Sequence, residues 1–151
     1  MDLIQELEAL AAAFAEAGVD FALCGGLAMA VHGFVRATED IDLLIREEDL
    51  EAAGAVAAKC GFTIPGGQVP LNPGTSRAGL IYRVSKARGN ILLPLDLMIV
   101  TPAYEQVWNH RIQILFGDLR VNVISRAGMI AMKQFAGRPK DQLDLDFLNQ
   151  N

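Results

Sequence analysis

Between Leu23 and Arg46 the chain reads LCGGLAMAVHGFVRATEDIDLLIR, and one pattern in it restricts the fold more than any other: Asp40 and Asp42 alternate with Ile41, Leu43 and Ile45. Successive side chains of a β-strand point to opposite faces, so the aspartates share one face and the aliphatics take the other. Carboxylates held side by side repel each other and are costly to desolvate, which calls for a cation between them. Hard divalent ions such as Mg²⁺ take oxygen ligands and bind through one or two carboxylates together with substrate phosphates. The strand therefore reads as a metal platform downstream of the Gly25-Gly26 turn.

With 151 residues, 52% of them hydrophobic, the chain suffices for a single domain, 1–151, with a core of its own. A net charge of -5 lacks the basic footprint of a protein that grips a long nucleic acid, so no extended nucleic-acid surface is expected and any such substrate would be held locally. The cysteines are Cys24 and Cys60, and the sequence shows neither a charged-then-apolar leader nor an apolar run of membrane-spanning length. A cytoplasmic, reduced protein is expected, with no membrane attachment and with both thiols packed instead of bridged.

Leu3, Leu7, Leu10, Ala11 and Phe14 recur at helical spacing between Asp2 and Ala17, with Gly18 as the stop. Val19 to Cys24 reads as a short buried strand that ends at Gly25-Gly26, and Leu27 to His32 as a second helix. Glycines at such a turn let a phosphate approach the unpaired N–H groups of a helix start; a plain strand-to-helix turn with no ligand is the alternative. Glu47 to Lys59 reads as an alanine-rich helix closed by Gly61. Pro, Gly, Asn, Ser and Thr from Pro65 to Gly79 predict a long loop, a flexible connection more than a lid. Leu80 to Val84 and Ile91 to Val100 read as paired strands, and Arg83, Lys86 and Arg88 around their turn as a solvated basic surface.

Asp96 sits in the second of these strands with Pro94 and Met98 on its own face. An ionised carboxylate in so apolar a strand costs several kcal/mol without a partner, so Asp96 is expected to be paired, protonated or metal-bound. The competing reading is a buried ion pair with an arginine such as Arg36 or Arg83. Pro94 cannot donate to a ladder and predicts an edge or a bulge. Thr101-Pro102 starts a short helix through Trp108, and Arg111 to Phe116 and Leu119 to Ile124 alternate around Gly117-Asp118 as a hairpin. Ser125 caps a helix from Arg126 to Ala136 that ends at Gly137. Pro139 fits the first position of a last helix with Asp141 in its first turn and Leu143, Phe147 and Leu148 as an inward stripe. Lys133 lies on the face of Met129, from which its ammonium can reach toward a phosphate.

No Gly-rich loop ending in Gly-Lys-Ser/Thr, no Gly-x-Ser-x-Gly elbow and no Gly-x-Gly-x-x-Gly after a strand occurs. His32 and His110 have no partner at zinc-like spacing and are read as structural or surface histidines.

Gly25-Gly26, then Arg36-Ala37-Thr38-Glu39-Asp40-Ile41-Asp42, then Asp96 on a later strand, resembles the nucleotidyltransferase fold of polymerase-beta-like enzymes. Within it the chain is most similar to small bacterial proteins grouped with the abortive-infection and toxin-antitoxin nucleotidyltransferases, whose C-terminal Lys and Arg-Pro-Lys-Asp segment MIAMKQFAGRPKDQLDLDFL also resembles. The resemblance implies an α/β (α+β) fold, a mixed, curved sheet with helices on one face and the carboxylates on the other. It implies two Mg²⁺ ions on Asp40, Asp42 and Asp96, and a nucleoside triphosphate contacted by Gly25, Gly26, Arg36, Thr38 and Lys133. NMP would pass to a hydroxyl of a protein, an RNA or a small molecule, with release of pyrophosphate. Gly-Gly stands here where many transferases of this fold have Gly-Ser. The reading from a different class is a non-catalytic module of the same fold, acting through a protein partner as a toxin-antitoxin component.

Overall fold

The computed structural model describes residues 2–35, 37–139 and 141–150. Helix α1 (Leu3–Ala17) opens on Asp2, whose carboxylate accepts from the N–H groups of Ile4 and Gln5, and closes on Gly18. It is followed by β1 (Ala22–Cys24), α2 (Gly25–Val31), β2 (Ile41–Ile45) and, after one 3-10 turn, α3 (Leu50–Lys59). Strands β3 (Ile64–Leu71), β4 (Gly79–Arg88) and β5 (Ile91–Ile99) lead to α4 (Glu105–Asn109). The hairpin of β6 (Ile112–Phe116) and β7 (Leu119–Val123) precedes α5 (Arg126–Ala136), capped by Ser125, and α6 (Asp141–Gln150).

The described strands form one mixed sheet in the order β3-β4-β5-β2-β1-β7-β6. β2 runs parallel to β5 and β1 parallel to β7, and the other neighbours are antiparallel. Leu43, Ile45, Leu93, Leu95 and Leu97 are buried on one face. α1 and α3 cover that face: Lys86, which pairs across the ladder with Leu93, reaches Glu6 of α1 at 2.9 Å and lies over the Phe62 ring. The opposite face carries the aspartates, as expected, but it is not bare of helix, because α5 stands beside it as a wall of the cleft.

Three expectations change. The composition of residues 65–79 that reads as loop belongs in its first half to β3, an edge strand paired only with β4. Pro65 and Pro70 need no ladder partner on the open side, so edge-strand composition and loop composition look alike. The remaining stretch from Asn72 is tied down: Asn72 donates to the Tyr104 hydroxyl at 3.2 Å, and Arg77 lies over the Phe135 ring of α5. Pro94 is on an interior strand, but β5 meets β2 only from Leu95 onward, so at Pro94 that flank is locally an edge. On α6, Leu143 is exposed, whereas Asp141, Asp144 and Leu148 are buried. The aspartates face inward because cations from α5 and the loop after it meet them.

Cys24 is buried, Cys60 partly so, and both are free thiols. His32 Nε2 donates to the Ile124 carbonyl at 2.9 Å and His110 Nδ1 to that of Gln106, which gives each a structural bond.

Candidate active site

The register of the sheet sets four side chains in one row across neighbouring strands. Arg83 on β4 pairs with Asp96 on β5, Asp96 with Asp42 on β2, and Asp42 with Cys24 on β1. Directly opposed residues of adjacent strands project to the same face, so the row is a property of backbone register. Asp40 stands just ahead of β2, and one oxygen from each of Asp40, Asp42 and Asp96 lies within 4.8 Å of the others. Thr38 donates to Asp40 Oδ1 over a long 3.4 Å.

Gly25 shows how tightly the row is built. Its φ is +70°, and an added Cβ would collide with the Asp42 carboxylate. Only glycine admits both the backbone conformation and the aspartate. Gly25→Ala is expected to cost about 2 kcal/mol in a denaturant melt and to displace Asp42. A metal titration should therefore show weakened binding, whereas an unchanged affinity would separate the glycine from the carboxylates.

Burial raises Asp42 to about 8, with Asp40 and Asp96 adding to the rise and Arg83 and Lys133 opposing it. Near neutral pH its carboxyl therefore holds a proton that a cation at this site would replace. The Cys24 thiol beneath is also pushed up, by burial first and then by Asp42 and Asp96, so it stays protonated and offers no thiolate.

Arg83, Asp96 and Asp42 of the row line a cleft of about 930 Å³ into which Asp40, Gly25, Gly26, Thr38 and Lys133 also face. Lys133 does not extend into it freely: its ammonium lies 3.2 Å from Asp141 and 2.8 Å from Asp144, and Arg138 also holds Asp141 at 2.8 Å. Arg36 lies outside the described residues. Arg83 is no solvated arginine; it holds Asp96 through two bonds, Nε to Oδ1 at 2.7 Å and Nη2 to Oδ2 at 2.8 Å. The sequence names this pair only as an alternative to convergence of the carboxylates, and the structure shows both at once. The sequence reading places Asp141 in the first turn of the last helix without a partner and does not name Asp144, although their spacing of three, with Leu148 four further, puts them on one helical face.

Three carboxylates suit a hard divalent ion, and the fork from Arg83 does not exclude Asp96, since each of its oxygens keeps a second lone pair. A mixed sheet with carboxylates side by side on adjacent strands, beside a glycine turn, is the arrangement of the nucleotidyltransferase fold. More narrowly, the family described as nucleotidyl transferase AbiEii toxin of type IV toxin-antitoxin systems matches residues 8–151, and the chain belongs to it. Solved structures share the fold at low identity. A Thermotoga maritima protein described as a candidate nucleotidyltransferase matches with a TM-score of 0.63 at 13% identity, over 99% of this chain and 94% of its own. The antibiotic-resistance factor ANT(2'')-Ia, solved with adenylyl-2''-tobramycin, gives 0.62 at 15% identity, over 97% and 86%. A candidate nucleotidyltransferase of Helicobacter pylori gives 0.55 at 20% identity, over 97% and 66%. No curated protein matches the sequence.

Proposed function

We propose that the chain is a metal-dependent nucleotidyltransferase that moves an NMP from a nucleoside triphosphate to a hydroxyl group, releasing pyrophosphate. The observation that carries this is the meeting of Asp40, Asp42 and Asp96 within 4.8 Å on one open face. Asp40 and Asp42 would hold one Mg²⁺ and, with Asp96, a second. When bound, the ions neutralise the triphosphate and the charge on the attacking and leaving oxygens of an in-line displacement. Asp96 takes the proton of the attacking hydroxyl on a lone pair that Arg83 leaves open. The oxygen of that hydroxyl forms the bond to the α-phosphorus as the bond to the pyrophosphate oxygen breaks. Gly25 and Gly26 present backbone N–H groups to the phosphates, and Thr38, through its bond to Asp40, keeps that ligand turned inward. Arg36 is a further candidate for a phosphate contact, and so is Lys133 if its ammonium leaves Asp141 and Asp144 for the nucleotide.

No described helix is long and apolar enough to cross a membrane, and the family's toxin-antitoxin context favours work in the cytoplasm with a protein partner. The non-catalytic reading draws on the Arg83–Asp96 pair, which would serve equally in a site that does no chemistry. Calorimetry with each NTP and Mg²⁺, followed by transfer of α-labelled phosphate to cell extract, separates the two. Expected are metal-dependent binding at micromolar to millimolar NTP and a labelled acceptor. Binding that persists in EDTA, or no label transferred while the partner is still bound, would favour the non-catalytic module.

A further inference from the structure

Asp96 is 4% exposed, and Arg83 engages both of its oxygens while its own side chain stays 40% exposed toward the cleft. Room for the arginine is built into the neighbouring strand. β3 carries a register shift between Pro65 and Gly67, and a Cβ at Gly66 would stand 2.6 Å from Arg83 Cγ and 3.0 Å from its Cβ and Cδ. Any side chain there would push the Arg83 stem aside.

We propose that Arg83 is a positioning residue that holds the third carboxylate as a resident counter-charge, so that the cleft takes one divalent cation alone and a second only together with a triphosphate. This rests on reading the cleft as a nucleotidyltransferase metal site, and adds the order in which it is loaded. Once a cation has taken the place of the Asp42 proton, three carboxylates and one guanidinium sum to minus two, which a single divalent ion cancels. A second ion would leave uncompensated positive charge beside a guanidinium that is already hydrogen-bonded to its ligand, and like charges that close repel each other. An arriving triphosphate supplies the missing negative charge. It also offers oxygens that suit the guanidinium fork as well as a carboxylate does, so Arg83 can turn to it as Asp96 turns to the second ion.

Mn²⁺ serves as the probe, counted by paramagnetic resonance on the whole metal-stripped chain, with and without inorganic tripolyphosphate, which carries no base to bias the result. The wild-type protein is expected to bind one Mn²⁺ alone and two with tripolyphosphate. Arg83→Gln is expected to bind two without it, the second at least about tenfold more tightly than wild type does. Gly66→Ala, which moves the arginine and keeps its charge, should shift the second affinity in the same direction by less, and serves alone if Arg83→Gln does not fold. Asp96 loses its partner in Arg83→Gln, so the metal-free melting temperature falls; Mn²⁺ should raise it by more than it raises that of the wild type, whereas an arginine with a purely structural role would leave the two increments equal. Two ions in the wild type without tripolyphosphate, or an unchanged second site in both variants, overturns the role of Arg83. No Mn²⁺ bound by the wild type under either condition overturns the metal reading of the cleft itself.

Discussion

Asp42→Asn is expected to reduce nucleotide transfer about a thousandfold and, in the metal-free protein, to raise the melting temperature, with the gain growing as pH rises toward 8. Both effects come from the same side chain. Asp42 has an oxygen within 4.8 Å of both Asp40 and Asp96, and burial with those two charges lifts it to about 8. Its folded pKa is above the unfolded value, so the folded state binds the extra proton between about pH 4 and 8, and stability falls as pH rises through that window. The limiting slope is about 1.4 kcal/mol per pH unit, reduced here because Asp42 keeps contact with cleft water. Asparagine has no proton to lose and escapes the penalty. A divalent cation should reverse the order, stabilising the wild type and leaving the variant unchanged, with wild-type affinity rising as pH approaches 8. Melting curves of both proteins from pH 5 to 9, with and without Mg²⁺, check all of this. A variant whose advantage is flat with pH would mean that Asp42 is ionised without metal and that its neighbours are better compensated than the geometry implies.

Most of the carboxylate site was legible because it is encoded in alternation and order along the chain. The Asp40-Ile41-Asp42 pattern fixes a face, and the apolar surroundings of Asp96 make that residue conspicuous wherever its strand lies. What closes the row is the parallel register Asp42 with Asp96 and the antiparallel register Arg83 with Asp96, and register between strands far apart in sequence leaves no local trace. Hence Arg83 reads first as surface and only alternatively, beside Arg36, as a partner for Asp96, although the fold makes it the partner of that buried acid. β3 fails for a different reason: Pro65, Gly66, Gly67 and Pro70 belong to an edge that must not pair outward, and they carry the composition of a loop. The inward stripe of α6 was read from its apolar residues. Exposed Leu143 and buried Asp141 and Asp144 show that ion pairing with α5 outweighs hydropathy in setting that face.

That ion cluster carries the second large effect. Lys133→Met should lower stability by about 3 kcal/mol, near the lower end of what breaking a buried pair costs. The Lys133 side chain is 12% exposed and those of Asp141 and Asp144 are 1% and 2%, so neither acid can turn to bulk water when the ammonium is lost. Arg138 keeps its two side-chain bonds to Asp141, which is why the loss falls short of the full range. For a chain of this length the change corresponds to a fall of about 10 °C in melting temperature. Burial alone would raise Asp141, but the bonds from Arg138 and Lys133 outweigh it and hold the acid below its usual value. Its stabilising share is therefore present above about pH 4 and is lost as pH falls further, so the gap between wild type and variant should narrow in acid. A phosphate-binding lysine gives a different result: its removal raises the KM for NTP and leaves the ligand-free melt unchanged. A double variant, Lys133→Met with Asp144→Leu, decides how far the two roles overlap. Replacing an ion pair with packed apolar side chains should recover much of the stability, and any transfer activity still missing from that stabilised protein belongs to Lys133 acting on the nucleotide.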